Sequence, residues 1–164
     1  MRIALLVTDL TPPRMGGISR VATELACRLT EKGHEIDVFC LPRTAKCFPA
    51  RERLRLIPVA PRLCLYAEYP VLSFSLAAFR ALHREQGVRP YDVSHAMNFN
   101  NYGLTFWRSR LKKLGLAHVS SGYETTGMEI RAKAKEFLRS PTLHLLGQIL
   151  MESYLAPWQR SYIG

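Results

Sequence analysis

The chain has 164 residues, enough for one ordinary domain and too few for two full ones. Hydrophobic residues make up 48% and charged residues 22%, without low-complexity runs or internal repeats, which excludes a disordered or fibrous chain. The formal net charge of +10 favours an anionic partner (a membrane surface, a phosphorylated substrate or nucleic acid), unless it simply marks a basic soluble domain.

Ile3 to Val7 is an unbroken apolar run of strand length, the pattern of a parallel strand buried on both faces. It is too short for a signal peptide, Asp9 follows at once, and no stretch of the chain is long enough to span a membrane. Thr8 to Gly17 reads as a loop containing Pro12, Pro13, Gly16 and Gly17. Ile18 to Lys32 reads as a helix with Val21, Leu25 and Leu29 at four-residue spacing and Ala22 and Ala26 alongside. Gly33 sits where a left-handed cap ends a helix. A second strand, Glu35 to Cys40, completes a βαβ unit, which is right-handed and implies a parallel sheet.

Pro42 to Arg53 reads as irregular, Leu54 to Val59 as a third strand and Pro61 to Pro70 as a loop. Val71 to Gln86 reads as a helix with Leu72, Leu76, Phe79 and Leu82 on one face. Asp92 to Ala96 is a fourth strand, Gly103 to Leu114 a helix with a basic end, and Leu116 to Ser121 a fifth strand. After a loop over Gly122 to Gly127, helices are expected at Glu129 to Leu138 and at Pro141 to Tyr154, with Pro141 in a first turn. Ser161 to Gly164 looks like the opening of another strand. The expectation is that the chain is part of a longer protein, against the alternative of a frayed natural end.

Cys27, Cys40, Cys47 and Cys64 form no C-x-x-C pair, and no histidine follows at zinc-ligand spacing. All four are read as reduced thiols of a cytoplasmic protein, Cys27 and Cys40 as small buried apolar residues, and no metal site is expected.

The strongest local signal for chemistry is the loop Thr11 to Arg20, which joins a buried strand to a helix. Gly16 and Gly17 lack a Cβ, so a ligand can approach the backbone, and free N–H groups at the helix start favour anions. The loop is neither G-x-G-x-x-G nor a P-loop. A tight turn without a ligand is the alternative. His95 ends the fourth strand at the rim where ligands of open α/β sheets bind, though a satisfied structural histidine also fits that place.

Taken together, Pro13-x-x-Gly16-Gly17-Ile18-Ser19-Arg20, Glu24-Leu25-Ala26 and Gly33-His34-Glu35 resemble the opening of retaining glycosyltransferases of family 4. Pro90-Tyr91-Asp92-Val93-Ser94-His95 is similar to that family's Pro-Asp-Val-Val-His segment, and Val119-Ser120-Ser121-Gly122-Tyr123-Glu124 to its Thr-x-His-Gly strand and loop. The resemblance implies a Rossmann-like parallel sheet flanked by helices, the acceptor-binding N-terminal half of a GT-B fold over residues 1–164. It implies Gly16, Gly17, His95, Ser121, Gly122, Tyr123 and Glu124 as substrate-binding residues. His34 is then a turn residue and Glu24 a helix-surface residue.

This chain departs from the family's pattern at Ser121, where members often place a histidine, and at Met97, where many carry a second one. His118, three residues before Ser121, is expected to point elsewhere.

The implied activity is retaining transfer of a sugar from a nucleotide-sugar to an acceptor hydroxyl, with no metal or other cofactor. Backbone N–H groups and cationic side chains suffice to stabilise a leaving diphosphate. Most donor contacts in the family come from a C-terminal domain with a pair of glutamates, so the chain alone is expected to be inactive.

Two basic stretches stand out. One is Arg108, Arg110, Lys112 and Lys113; the other is Arg131, Lys133, Lys135 and Arg139, with Ile130, Ala134, Phe137 and Leu138 as its apolar side. A basic amphipathic helix can lie on an anionic membrane, or it can be an ordinary solvated face. The charge favours a cell-envelope polysaccharide or lipid-linked acceptor and a peripheral place on the inner face of the cell membrane. Two alternatives remain: a non-catalytic or degenerate domain of the same fold, or its partner subunit, which Ser121 supports; and a basic nucleotide- or nucleic-acid-binding domain. Thin aromatic interleaving and the lack of a recognition motif argue against nucleic acid.

Overall fold

The structure is a computed structural model and describes residues 1–10, 17–48, 51–61, 71–97 and 104–121. The chain divides into two compact units, Met1–Ser121 and Gly122–Gly164. The second unit lies outside the described residues. So do the helices read at Glu129 to Leu138 and Pro141 to Tyr154, the basic stretch 131–139 and the strand opening at Ser161.

The first unit runs β1 (Arg2–Leu6), α1 (Gly17–Glu31), β2 (Glu35–Cys40), α2 (Pro42–Cys47), β3 (Leu54–Pro58), α3 (Val71–Val88), β4 (Val93–Met97), α4 (Leu104–Lys113) and β5 (Ala117–Ser121). The five strands form one sheet in the order β3-β2-β1-β4-β5, and every pairing is parallel. This is a Rossmann-like α/β architecture, with the five strands read between Ile3 and Ser121 in place to within a residue at each end.

Alternation along the strands builds two cores. Ile3, Leu5 and Val7 join Ile36, Val38, Cys40, Leu54 and Met97 on one face, beneath Ala22, Ala26 and Cys27 of α1. The sequence pattern put Val21 on this seam, yet it is 43% exposed. The helix turns Ala22 and Ala26 to the sheet instead, because small residues let its backbone approach closely; Val21, about 100° away around the helix, is left on the flank. On the other face α3 buries Phe74, Ala78, Phe79 and Leu82. Of the predicted seam, Leu76 is only half-buried, and the side chain of Leu72 lies outside the description.

Gly33 ends α1 with φ at 85°. Its N–H donates to Thr30 O at 2.9 Å and that of His34 to Leu29 O at 3.1 Å, satisfying carbonyls that the helix end would orphan. Residues 42–47, read as irregular, are instead helical. Pro42 stands at the start of this short helix with its φ preset, and Thr44 Oγ1 lies 2.9 Å from Asp9 Oδ1 and 3.2 Å from Thr8 O. A helix held by contacts to a distant strand end leaves no periodic trace in its own six residues.

At the amino edge of the sheet a buried ionic network ties β1, β2 and the lead-in to β4. Asp37 accepts hydrogen bonds from the Arg2 guanidinium, from Tyr91 OH at 2.6 Å, and from Arg55 Nε and Nη2 at 3.0 and 2.8 Å. Arg2 also lies 4.0 Å over the Tyr91 ring. Burial pulls the Asp37 carboxyl upward, but the Arg55 and Tyr91 hydrogen bonds and the Arg2 charge outweigh it and hold its pKa below the ordinary value.

Candidate functional site

Because all five strands are parallel, their carboxyl ends share one rim. From β1 the order steps outward to β2 and β3, and from β4 outward to β5 on the other side. The β1–β4 boundary is therefore the topological switch point, where ligands of open α/β sheets bind.

Two of the expected site residues flank that boundary. The loop after β1 leaves through Leu10, which is fully buried and whose carbonyl accepts from Thr23 Oγ1 at 2.6 Å. The chain re-enters the described residues at Gly17, the first residue of α1, where an added Cβ would meet no described residue within 4 Å. Gly17 therefore presents open backbone at a helix N-terminus. Gly16 lies outside the described residues.

His95, read as ending the fourth strand, is instead the middle residue of β4, because pairing with β5 continues to Met97; it lies in register with Leu5 of β1 and Val119 of β5. Its Nε2 lies 2.7 Å from Ser121 Oγ, two residues beyond Val119, so the imidazole leans toward the rim. The fold thus brings together two of the expected site residues, which are 26 apart in sequence. Burial lowers the His95 pKa, so the ring is neutral near pH 7 and keeps one donor and one acceptor nitrogen. A neutral imidazole beside a hydroxyl suits the recognition of another hydroxyl. Gly122, Tyr123 and Glu124 lie outside the described residues.

His118 points to the opposite face, as strand alternation requires. Its Nδ1 is 2.8 Å from Ser94 Oγ and its ring packs against Phe79 with centroids 5.6 Å apart. Burial above all, then the charges of His95 and Arg108, push its pKa down to about 4. It is a core histidine held neutral. Glu24 makes an exposed ion pair with Arg28 at 2.8 Å on the surface of α1, and His34 sits in the turn after Gly33.

The rim also carries a group that the sequence reading passed over. Asp9 accepts from Arg43 Nε at 3.0 Å and Nη2 at 2.7 Å, a bidentate pair, and from Thr44 Oγ1 at 2.9 Å. Burial raises the Asp9 pKa and these hydrogen bonds outweigh it, so the carboxylate stays ionised. The available signal was positional: Asp9 and Arg43 each follow the carboxyl end of one of two neighbouring strands.

Among the described residues, no group of three or more His, Cys, Asp or Glu side chains is placed to hold a metal ion. Also among them, no helix is long and apolar enough to cross a membrane.

The family model of Glycosyltransferase Family 4 matches residues 15–149. The chain belongs to glycosyltransferase family 4. No curated protein matches it. Among solved structures, this family 4 chain is similar to a sucrose-phosphate synthase from Thermosynechococcus elongatus, at 17% identity and a TM-score of 0.57, over 79% of the chain and 35% of that structure. A UGT transferase from Siraitia grosvenorii in complex with UDP matches at 14% identity and a TM-score of 0.53, over 86% and 32%. The glycotransferase of kitacinnamycin matches at 16% and 0.52, over 90% and 37%. At these identities the likeness is one of fold. The chain spans about a third of the length of each of these structures.

Proposed function

We propose that this family 4 chain is the acceptor-binding half of a GT-B glycosyltransferase that moves a sugar, with retention, from a nucleotide-sugar to an acceptor hydroxyl. The observation that carries the reading is the His95–Ser121 pair at the carboxyl rim, one strand from the loop that opens α1. The pair offers donor and acceptor atoms without net charge, which fits a sugar hydroxyl better than a phosphate. Gly17 and the N–H groups at the start of α1 supply the complementary half, a place for the leaving diphosphate, and Gly16 belongs to the same loop. Gly122, Tyr123 and Glu124, next in sequence after Ser121, are proposed as further substrate-binding residues on the family resemblance alone.

In this reading the rim residues bind and orient. His95 and Ser121 hold the attacking hydroxyl, and the start of α1 offsets negative charge on the departing diphosphate. A second, nucleotide-binding half closes the cleft, so the 164-residue chain alone turns nothing over. No metal is required, since backbone and cationic groups can carry the diphosphate. A cell-envelope polysaccharide or lipid-linked acceptor fits the excess of +10 charges, as does a cytoplasmic protein held at the inner face of the membrane. The second reading, a non-catalytic binding domain or partner subunit of the same fold, is favoured by the hydroxyl of Ser121 where the family often carries an imidazole.

The test joins the chain to a downstream nucleotide-binding half and measures transfer from nucleotide-sugars. His95→Ala should lower kcat/KM about 5- to 150-fold, the cost of about 1–3 kcal/mol for leaving a substrate hydroxyl without its partner. Transfer that ignores His95→Ala would sink the acceptor-site assignment. Acceptor binding without any turnover would select the second reading.

A further inference from the structure

Outside the rim, cations gather on the outer surface of α3 and α4. These helices lie side by side on one face of the sheet, with the His83 and Trp107 rings in contact at 5.1 Å. The Arg110 guanidinium lies 4.9 Å over the same Trp107 ring. Arg80 and Arg84, three residues before and one after His83, extend the ridge on α3; Lys113 extends it on α4 and Lys112 stands further round that helix, all exposed. Among the described residues Arg80, Arg84, Arg110, Lys112 and Lys113 make no ion pair. α4 contains no acidic residue, and Glu85, the acid of α3, is taken by Arg55 at 3.0 Å.

This surface is remote from the diphosphate chemistry. α4 runs back from the rim, so Arg110, Lys112 and Lys113 stand in its last turn, beside the start of β5, while Ser121 ends that strand. A strand of this length separates the two by about 17 Å. The flanks carry exposed apolar side chains as well: Val88 at the end of α3 is 82% exposed and Leu114, just past α4, is 40% exposed. Unpaired cations around exposed apolar side chains and an indole match the interfacial zone of an anionic bilayer. Trp107 is poorly placed to stack a nucleic-acid base, because His83 and Arg110 already lie against its ring.

We propose that the outer surface of α3 and α4 docks this chain on an anionic lipid bilayer. The inference rests on the peripheral-membrane part of the reading above and assigns it to named residues. Each cation near such a surface strengthens partitioning roughly fivefold, or about 1 kcal/mol.

The test is co-sedimentation of the 164-residue chain with vesicles of phosphatidylcholine, with and without an equal part of phosphatidylglycerol. The chain should bind the anionic vesicles, bind neutral ones far more weakly, and release as salt rises. The R80E/R84E/R110E/K113E variant should bind on the order of 100-fold more weakly or worse. Should that variant fail to fold by circular dichroism, Arg84→Gln with Lys113→Gln should still weaken binding by roughly 25-fold. Equal binding to neutral vesicles, unchanged binding by either variant, or a nucleic-acid duplex that binds as tightly at the same salt would overturn the proposal. His95→Ala leaves vesicle binding unchanged. Lost docking with transfer still sensitive to His95 removes this inference alone, and the converse removes the acceptor reading alone.

Discussion

Replacing Asp37 with alanine deletes the acceptor at the centre of the amino-edge network. The Arg2 guanidinium, whose side chain is 8% exposed, loses its carboxylate, and Tyr91 OH loses its acceptor at 2.6 Å. Arg55 is half exposed and falls back on Glu85 and water, so the cost concentrates on Arg2. Breaking a buried pair by deleting one partner costs about 3–5 kcal/mol, against a whole-domain stability of about 5–15 kcal/mol. With a urea slope of about 2 kcal/mol per molar, the midpoint should fall by roughly 2 M. The pH profile gives a second readout. The folded Asp37 titrates below the ordinary carboxylate value of 3.8, so its contribution is complete above that value and is lost as pH falls through the lower folded value. The alanine variant should lack that acid loss. Combining Asp37→Leu with Arg2→Met, which removes both charges, should recover much of the stability. A midpoint shift worth less than about 1 kcal/mol for Asp37→Ala would place the network among surface ion pairs and refute the reasoning.

Two further outcomes follow from single residues. His118 should titrate near pH 4 by NMR of its ring protons. Its folded pKa lies below the ordinary imidazole value of 6.5, so the stability it carries is whole above 6.5 and falls away down to about 4, by roughly 3 kcal/mol at 1.4 kcal/mol per unit. His118→Gln should flatten that slope, and a ring that titrates near 6.5 contradicts its burial against Phe79. Gly33→Ala should cost about 1–2 kcal/mol in denaturant unfolding because φ is 85°. The nearest atom to the new methyl, Arg53 Nη1 at 3.2 Å, ends a flexible side chain and can yield. A neutral outcome would mean the turn relaxes out of the left-handed region.

The strands, the Gly33 cap and the parallel sense of the sheet were legible because each is a short-range demand on neighbouring residues. An apolar run buried on both faces, a glycine where φ turns positive and a βαβ unit all announce themselves within a few turns of chain. Gly17 and Ser121 stand at element ends, where the sequence put them, whereas His95 lies in the middle of β4. What the tertiary structure decided is everything that depends on register across the sheet. The meeting of His95 with Ser121, of Asp9 with Arg43 and of Arg2 with Asp37 and Tyr91 joins residues 26, 34, 35 and 89 apart. The exposure of Val21, the helix at 42–47 and the side-by-side placement of α3 and α4 were decided in the same way. Such contacts arise only when strands from opposite ends of the chain lie side by side. A local pattern carries the preference of each residue for a face or a turn, but not the identity of the residue it will meet there.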